Sequence, residues 1–282
     1  MCAPAITSLA DYAPPVNGLV SWWRGEGNAN DSADSNNGSL LNGGGYSTGA
    51  IGTGFSFDGV NDHVRIADSA NLHLTSAFTL AAWVNPASHG SYDEILSKWG
   101  AVFPVTHNGY TFSIHPDGRS YVAVSSNGTD AGANVFTTTT IPLNAWTHLA
   151  GTYDGSKLRI YINGVLNNEM LYSGGVFPTL DNLSIGGVIG GAGVGDGISF
   201  FDGKIDEVMI YNRALNGSEL VTLATIPEPS SMSLLVAGLA CICAKVRSSR
   251  GTKGNANQER RTQDLSRPRV RIRASRFSPE LQ

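Results

Sequence analysis

The stretch Lys157-Leu158-Arg159-Ile160-Tyr161-Ile162-Asn163-Gly164 decides the fold of this chain. Its apolar residues Leu158, Ile160 and Ile162 alternate with more polar ones, so they share one face of an extended strand. Asn163-Gly164 then tolerates the positive φ angles that a tight hairpin turn requires. An alternating strand that ends in such a turn predicts an antiparallel sheet with one buried face.

Similar short runs recur along the chain, separated by turn dipeptides such as Asp58-Gly59 and Asp154-Gly155. In the run from Phe78 to Val84, alternate residues share a buried face and Trp83 falls on the opposite one. The runs predicted as strands are Leu19–Arg24, Gly54–Phe57, His63–Ile66, Phe78–Val84, Glu94–Trp99, Tyr110–His115, Tyr121–Ser125, Trp146–Tyr153, Lys157–Ile162, Glu169–Tyr172, Leu183–Ile185 and Lys204–Tyr211.

Only residues 217–224 of the main body show helical spacing, with Asn216 or Ser218 as the expected N-cap. No alternation of strand and helix occurs that would indicate a parallel sheet. The sequence therefore predicts an all-β fold, an antiparallel two-sheet jelly-roll sandwich with one short helix near its C-terminal end.

The charge of the chain is divided between two regions. Residues 245–282 carry eleven Lys or Arg and three acids, a net charge of +8, which leaves eight Lys or Arg and twenty acids, a net charge of −12, for residues 1–244. The acidic body argues against a nucleic-acid partner. The basic end has Phe277 as its one aromatic residue, and such charge runs are usually solvated and disordered.

A distinct segment follows the main body. Pro227-Glu228-Pro229 precedes an uncharged apolar run, residues 232–244, and then Lys245, Arg247 and Arg250. As a helix the apolar run would reach about 20 Å, short of the roughly 30 Å hydrocarbon core of a bilayer. The segment resembles the PEP-CTERM sorting signal of bacterial envelopes. The alternative is a buried helix of a soluble domain, which would have little use for a basic stop.

That resemblance implies export to the cell envelope or outer surface, or secretion. It also implies processing at Pro227, Glu228 and Pro229 by an exosortase-type enzyme, and transient or anchoring contact of residues 232–244 with the membrane. Two features depart from the pattern. Residues 251–282 extend beyond the basic cluster, and residues 1–11 contain neither the basic nor the apolar region of a secretory signal peptide.

The body resembles the LamG-like jellyroll domain of the concanavalin A-like lectin/glucanase superfamily. Motifs that carry this resemblance include Phe55-Ser56-Phe57-Asp58-Gly59, Trp146-Thr147-His148-Leu149-Ala150 and Ile205-Asp206-Glu207-Val208. The expected organisation is a leader or linker at residues 1–17, the jellyroll at 18–225, the sorting segment at 226–250 and a disordered basic tail at 251–282.

The loop after the first strand is rich in oxygen ligands for a hard cation such as Ca²⁺. Relatives of this sandwich often carry a structural calcium ion between this loop and the last strand, which adds Asp206 to the set. The alternative is a solvated loop whose Asp and Asn side chains hold their own backbone. The predicted calcium ligands are Glu26, Asp31, Asp34, Asn36 and Asp206.

Several aromatic residues are predicted near loops, where a ring can stack on the apolar face of a sugar. Asp62 could bind an ion or sugar hydroxyls at the rim, although Asp58-Gly59 and Asp62 also fit a purely structural turn. The candidate ligand-binding residues are Tyr46, Asp62, Tyr92, Trp99 and Tyr110, with Phe103 as a further aromatic candidate.

Catalytic motifs are not evident. Glucanases of the superfamily place paired carboxylates two residues apart on one strand, whereas Asp93-Glu94 and Asp206-Glu207 are adjacent and are expected on opposite faces. We therefore expect a non-catalytic envelope protein that recognises extracellular polysaccharide or glycoprotein. The alternatives are a structural component of a biofilm matrix and a glycoside hydrolase.

Overall fold

The computed structural model describes residues 12–100, 107–129, 132–189 and 197–225. Pro227, Glu228, Pro229 and the rest of the sorting segment lie outside these residues, as does the basic tail. The strands are β1 Leu19–Trp23, β2 Gly38–Leu41, β3 Gly45–Thr48, β4 Thr53–Asp58, β5 His63–Ile66, β6 Phe78–Pro86, β7 Asp93–Lys98, β8 Tyr110–Ile114, β9 Arg119–Val124, β10 Ala133–Thr140, β11 Thr147–Tyr153, β12 Lys157–Ile162, β13 Val165–Leu171, β14 Leu183–Ile185 and β15 Asp202–Tyr211.

These strands form two sheets that pack face to face, and every strand pairing is antiparallel. One sheet has eight strands in the order β13-β12-β11-β6-β15-β4-β3, with β1 paired to β15. The other has seven strands in the order β10-β9-β8-β7-β14-β5-β2. The predicted jelly-roll sandwich is confirmed.

The core lies between the two sheets and is built by the predicted alternation. Leu158 and Ile160 of β12 are fully buried there, and so are Phe78 and Leu80 of β6. Between the two apolar residues of β12, Arg159 points outward and pairs with Asp154 and Glu169. One face of these strands therefore supplies apolar area whose removal from water drives folding.

A second apolar cluster lies on the outer face of the eight-stranded sheet. It is covered by the helix α1, Gly217–Leu223, which buries Leu220 and Leu223 against it. The side chain of Asn216 accepts a hydrogen bond from the Glu219 N–H and closes a capping box, as expected of an N-cap. Tyr12, within the segment predicted as a linker, is buried in this cluster and donates to the Leu223 carbonyl at 2.9 Å.

Three strands were absent from the sequence prediction, namely β2, β3 and β10. β2 and β3 contain four residues each and keep partly exposed side chains, so their apolar alternation is weak. β10 contains four consecutive threonines, and only Ala133, Asn134 and Val135 at its start alternate apolar with polar residues.

Among the helices in the described part of the chain, none is long and apolar enough to span a membrane.

Candidate binding cleft

A cleft of about 430 Å³ opens on the outer face of the seven-stranded sheet. Its floor comes from neighbouring strands β7, β8, β9 and β10, whose outward side chains include Glu94, Thr111 and Asn134. Val188, Ile198 and Ser199 line the side formed by the segment before β15. Pockets of this size hold small ligands in many proteins.

An interlocked group of rings forms one wall of the cleft. Tyr121 of β9 and Phe136 of β10 are cross-strand partners, and their rings stack with centroids 4.9 Å apart. The His115 ring packs edge-on against both Phe136, at 5.7 Å, and Tyr92, at 5.1 Å. The Arg119 guanidinium covers Phe136 at 4.9 Å. Because each ring is held by a neighbour, the wall presents a preformed apolar surface.

Trp99 supplies a further ring at the other side of the floor. It follows directly after β7 and is half-buried, as expected for a ring that keeps one side open to the cleft. Lys98 lies before it with its side chain fully buried, and Gly100 after it also lines the cleft. Tyr92, whose exposed fraction is 44%, completes the aromatic lining.

Glu94 is the acidic side chain among the described residues that line the cleft. It is only 2% exposed and accepts a hydrogen bond from the Thr111 hydroxyl. Burial raises the pKa of Glu94 well above its usual value, against the opposing effect of hydroxyl groups nearby. Such a carboxyl group keeps its proton at a higher pH and can then donate a hydrogen bond to a ligand hydroxyl.

The predicted ligand-binding residues do not all meet. Tyr92 and Trp99 line the cleft, whereas Tyr46 lies on the other sheet and packs against the core. Asp62 is 4% exposed and accepts from the Asp58 N–H, which agrees with the structural alternative for that turn. Phe103 lies outside the described residues.

Tyr110 faces the opposite way from the cleft. It is 1% exposed in the core and its hydroxyl donates to the Leu72 carbonyl at 3.1 Å, so its expected position at a surface is wrong. The neighbouring Thr111, next along the strand, takes the outward position instead.

Residues lining the cleft that the sequence analysis missed include Tyr121, His115, Asn134 and Phe136. The sequence does contain a signal for three of them. Val122 and Val135 are apolar and buried in the core, so the residues next to them, Tyr121, Asn134 and Phe136, lie on the outer face. Two aromatic residues at outward positions of paired strands indicate a ring surface, but only once the pairing is known.

All five predicted calcium ligands are engaged in hydrogen bonds within the protein, and two of them, Asp31 and Asn36, are bonded to each other. The Asp31 carboxylate accepts from the N–H groups of Trp22, Ala33 and Asn36, which holds its own loop. Exposed Asp34 accepts from Asn71. Asp206 accepts from the Ile51 and Glu207 N–H groups.

The two remaining predicted ligands are also engaged. Glu26 accepts from the Thr53 N–H, and the Asn36 amide donates to the Ser21 hydroxyl. Within the described ranges, no group of three or more His, Cys, Asp or Glu side chains is arranged to hold a metal ion. Asp31 and Asn36 adjoin, whereas Asp34 and Asp206 are engaged elsewhere, so calcium binding by the five residues stays a prediction.

Asp206 and Glu207 were expected on opposite faces of β15, and that expectation is wrong. The pairing with β6 shifts between Asp206, opposite Trp83, and Met209, opposite Ala81, so a β-bulge occupies this part of β15. Glu207 has a φ of 51° and accepts a hydrogen bond from the Trp22 indole on the outer face. Asp206 lies on that same face, beside Ile51.

The fold is an antiparallel lectin-like sandwich with a cleft on one outer face. The chain belongs to the concanavalin A-like lectin/glucanases superfamily, whose family model matches residues 58–221. No curated protein matches the chain.

Solved structures share this fold at low sequence identity. Domain 4 of AbnA, a GH43 extracellular arabinanase from Geobacillus stearothermophilus solved with arabinotriose, is 22% identical, with a TM-score of 0.57 over 73% of this chain and 98% of that domain. The binding domain of Paraclostridial Mosquitocidal Protein 1 is 18% identical, with a TM-score of 0.58 over 77% of this chain and 52% of that one.

A third structure is the ligand binding domain of botulinum neurotoxin serotype D, solved with N-acetylneuraminic acid. It is 13% identical, with a TM-score of 0.56 over 77% of this chain and 52% of that one. The chain thus spans about half the length of both toxin domains. At these sequence identities the likeness establishes the fold alone.

Proposed function

We propose that this chain is a carbohydrate-binding module that recognises extracellular glycans without cleaving them. The observation that carries the proposal is the cleft on the seven-stranded sheet, where the half-buried ring of Trp99 lies across the floor from the stacked Tyr121 and Phe136. A sugar ring has an apolar C–H face for such rings and a rim of hydroxyl groups that need polar partners.

Polar partners are present at the floor of the cleft. Glu94, Thr111 and Asn134 come from three different strands, and two of them are already hydrogen-bonded to each other. Groups held in this way lose little freedom when a ligand arrives, which favours affinity. Support from relatives is of the same kind, since two of the solved structures with this fold contain arabinotriose and N-acetylneuraminic acid.

Binding is tested by calorimetry on a panel of soluble arabino-, gluco- and sialyl-oligosaccharides. We expect Trp99→Ala to weaken the affinity for the bound glycan at least about tenfold, the loss typical of a central aromatic contact. Trp146→Ala is the matched control, because Trp146 is also half-buried but lies outside the cleft lining. Equal loss in both variants, or no glycan bound at all, would refute the proposal.

Glu94→Gln separates binding from hydrolysis. Gln keeps the shape and hydrogen-bonding capacity of the side chain, so the variant should retain glycan affinity. Release of reducing sugar by the wild type and its loss in Glu94→Gln would favour the glycoside hydrolase alternative.

The protein is further proposed to act outside the cytoplasm, in the envelope or its surrounding matrix. Support comes from the Pro227-Glu228-Pro229 motif, with the apolar run and basic cluster that follow it. The intact mass of the protein recovered from the native envelope tests this. We expect the mass of a chain whose last residue lies near residue 227. A mass that corresponds to a chain ending at Gln282, found in the cytoplasmic fraction, would contradict export.

A further inference from the structure

Lys98 is a buried cation directly beside the cleft. It ends β7, and its side chain is 1% exposed although lysine rarely leaves water completely. The Nζ atom donates to Asp68 Oδ1 at 2.5 Å and to the Asp181 carbonyl at 2.5 Å. Three separate segments of the chain therefore meet at one ammonium group.

The partners of Lys98 are themselves held. Asp68 also accepts from His73 Nε2 at 2.9 Å. Burial lowers the pKa of Lys98, against the opposing pull of the Asp68 carboxylate. Burial would raise the pKa of Asp68, but hydrogen bonds from Lys98 and His73 outweigh it and leave that pKa lowered. Lys98 and Asp68 form an ion pair, and removing either partner leaves the other group without its counter-charge.

The chain that follows Lys98 is fitted to the same anchor. A Cβ atom on Gly100 would lie 2.9 Å from Asp181 Oδ2 and 2.8 Å from the His107 nitrogen, so the backbone passes close to this segment. The N–H of Gly109, the residue before β8, donates to the Lys98 carbonyl at 3.1 Å. Trp99 lies between Lys98 and Gly100, both of which are fixed.

We propose that Lys98 is a positioning residue of the cleft, whose buried ammonium group fixes the end of β7 so that Trp99 presents its ring to the saccharide. This inference rests on the proposed carbohydrate-binding function for its purpose, but not for its structural content. The side chain of Lys98 points toward the core, beside its cross-strand partner Tyr110, while Trp99 points into the cleft. Lys98 acts through Trp99 and does not contact the ligand.

The experiment uses the full chain labelled with 5-fluorotryptophan. The label places one fluorine atom on each of the five tryptophans, and each is followed by its fluorine resonance. Trp99→Phe identifies the Trp99 signal by its disappearance. We expect Lys98→Met and Asp68→Asn to shift or broaden that signal while the Trp23 and Trp83 signals, from buried rings, stay in place. Lys157→Met is the matched control, because Lys157 also pairs with an acid, Glu169, but on the other sheet.

Glycan affinity is measured on the same variants, well below their melting temperatures. Positioning predicts that Lys98→Met weakens binding about tenfold, as far as Trp99→Ala does, while Lys157→Met leaves it unchanged. If Lys98→Met does not fold, Asp68→Asn removes the same anchor with a smaller change of volume and gives the same readouts.

A Trp99 resonance that is unchanged in both anchor variants would overturn the inference. If the wild type binds no glycan but the Trp99 resonance still responds to Lys98, the proposed function fails and the positioning role stands. Lower melting temperatures with an unchanged Trp99 signal and unchanged affinity would reduce Lys98 to a purely structural residue.

Discussion

The carboxyl groups of Asp206 and Glu207 lie on the same outer face of the eight-stranded sheet, although the two residues are adjacent in β15. Regular strand geometry would send them to opposite faces. The bulge inserts one extra residue into β15, so Ile205 and Val208 both remain in the core while the two acids between them face outward. Glu207 adopts a positive φ of 51° to do so.

Both acids are almost completely removed from water. Burial, opposed by hydrogen bonds from backbone N–H groups, raises the pKa of Asp206 to about 7. Burial and the charge of Asp206 raise the pKa of Glu207 to about 8. The charged groups around the pair are Glu26, which adds repulsion, and Arg24, whose Nε lies 3.8 Å from Glu207. Tyr12 lies beside the two acids, and burial, together with the charges of Glu207 and Asp206, raises the pKa of Tyr12 well above its usual value.

This pair should make the protein less stable as the pH rises. An unfolded carboxyl group loses its proton near pH 4, whereas the folded Glu207 keeps it to about pH 8. The folded state therefore binds more protons between these values, and its free energy of unfolding falls by up to about 1.4 kcal/mol per pH unit for each such group. Denaturant unfolding from pH 5 to pH 9 measures this slope.

Glu207→Gln is expected to flatten the dependence of the unfolding free energy on pH, because the glutamine side chain does not titrate. Its amide oxygen can still accept the hydrogen bond from the Trp22 indole. Asp34→Asn is the control, since Asp34 is exposed and outside the pair. A wild-type stability that stays constant from pH 5 to pH 9, or equal slopes in wild type and Glu207→Gln, would contradict a proton-bound pair.

The bulge shows where sequence patterns stop being sufficient. Alternation predicted β6 and β12 because each has a period of two and one buried face. The bulge changes that period within β15, and nothing in Ile205-Asp206-Glu207-Val208 marks the residue that adopts a positive φ. The faces of Asp206 and Glu207 therefore depend on the pairing of β15 with β6 and β1, which the local sequence does not encode.

The cleft was predictable only in part for a similar reason. Tyr92 and Trp99 were found because aromatic residues near loops favour surfaces. Tyr121 and Phe136 lie fifteen residues apart in the chain and meet only because β9 and β10 pair in a particular register. The strand that begins at Tyr110 was predicted, but Tyr110 was misplaced because the local sequence does not show which face of β8 packs against the core.

His148 should act on stability in the opposite direction from the acid pair. Its ring is buried against Trp83, and burial lowers the pKa of His148 to about 3. An unfolded histidine binds a proton near pH 6.5, so the stabilisation from this group is complete above that pH and falls as the pH drops toward 3. His148→Phe keeps a ring beside Trp83 and removes the titration.

Unfolding of wild type and His148→Phe at pH 7 and pH 5 is the measurement. The wild type is expected to lose stability relative to the variant by roughly 1–2 kcal/mol on acidification, the span of about 1.5 pH units below the unfolded pKa. A difference between the two proteins that is independent of pH would show that His148 takes up its proton equally in both states.

Tyr110→Phe should affect stability and leave ligand binding unchanged. The variant removes a buried hydroxyl and leaves the Leu72 carbonyl without that donor, which costs about 1 kcal/mol. The ring remains in the core, so the cleft keeps its shape. Thermal unfolding and glycan calorimetry are measured together, with Tyr92→Phe as the surface counterpart. Weaker glycan binding by Tyr110→Phe would contradict this expectation and would indicate that Tyr110 contributes to ligand binding despite its burial.

The two sheets approach each other closely where Gly151 of β11 faces Val122 of β9. A Cβ atom on Gly151 would lie 2.5 Å from Val122 Cγ2, so the valine fills the space that a side chain would need. Gly151→Ala is therefore expected to destabilise the fold by about 1–3 kcal/mol through overpacking. Val122→Ala alone should also destabilise, because it leaves a cavity in the core.

The double variant decides whether the two positions share one space. Because Val122→Ala opens the room that the methyl group introduced by Gly151→Ala needs, we expect the combined loss to be smaller than the summed single losses by about 1 kcal/mol or more. Denaturant midpoints of the four proteins in the cycle give this coupling energy. Additive losses would contradict this expectation. They would mean that the sheets move apart to admit the new methyl group, so that Gly151 and Val122 do not compete for one space in the core between β9 and β11.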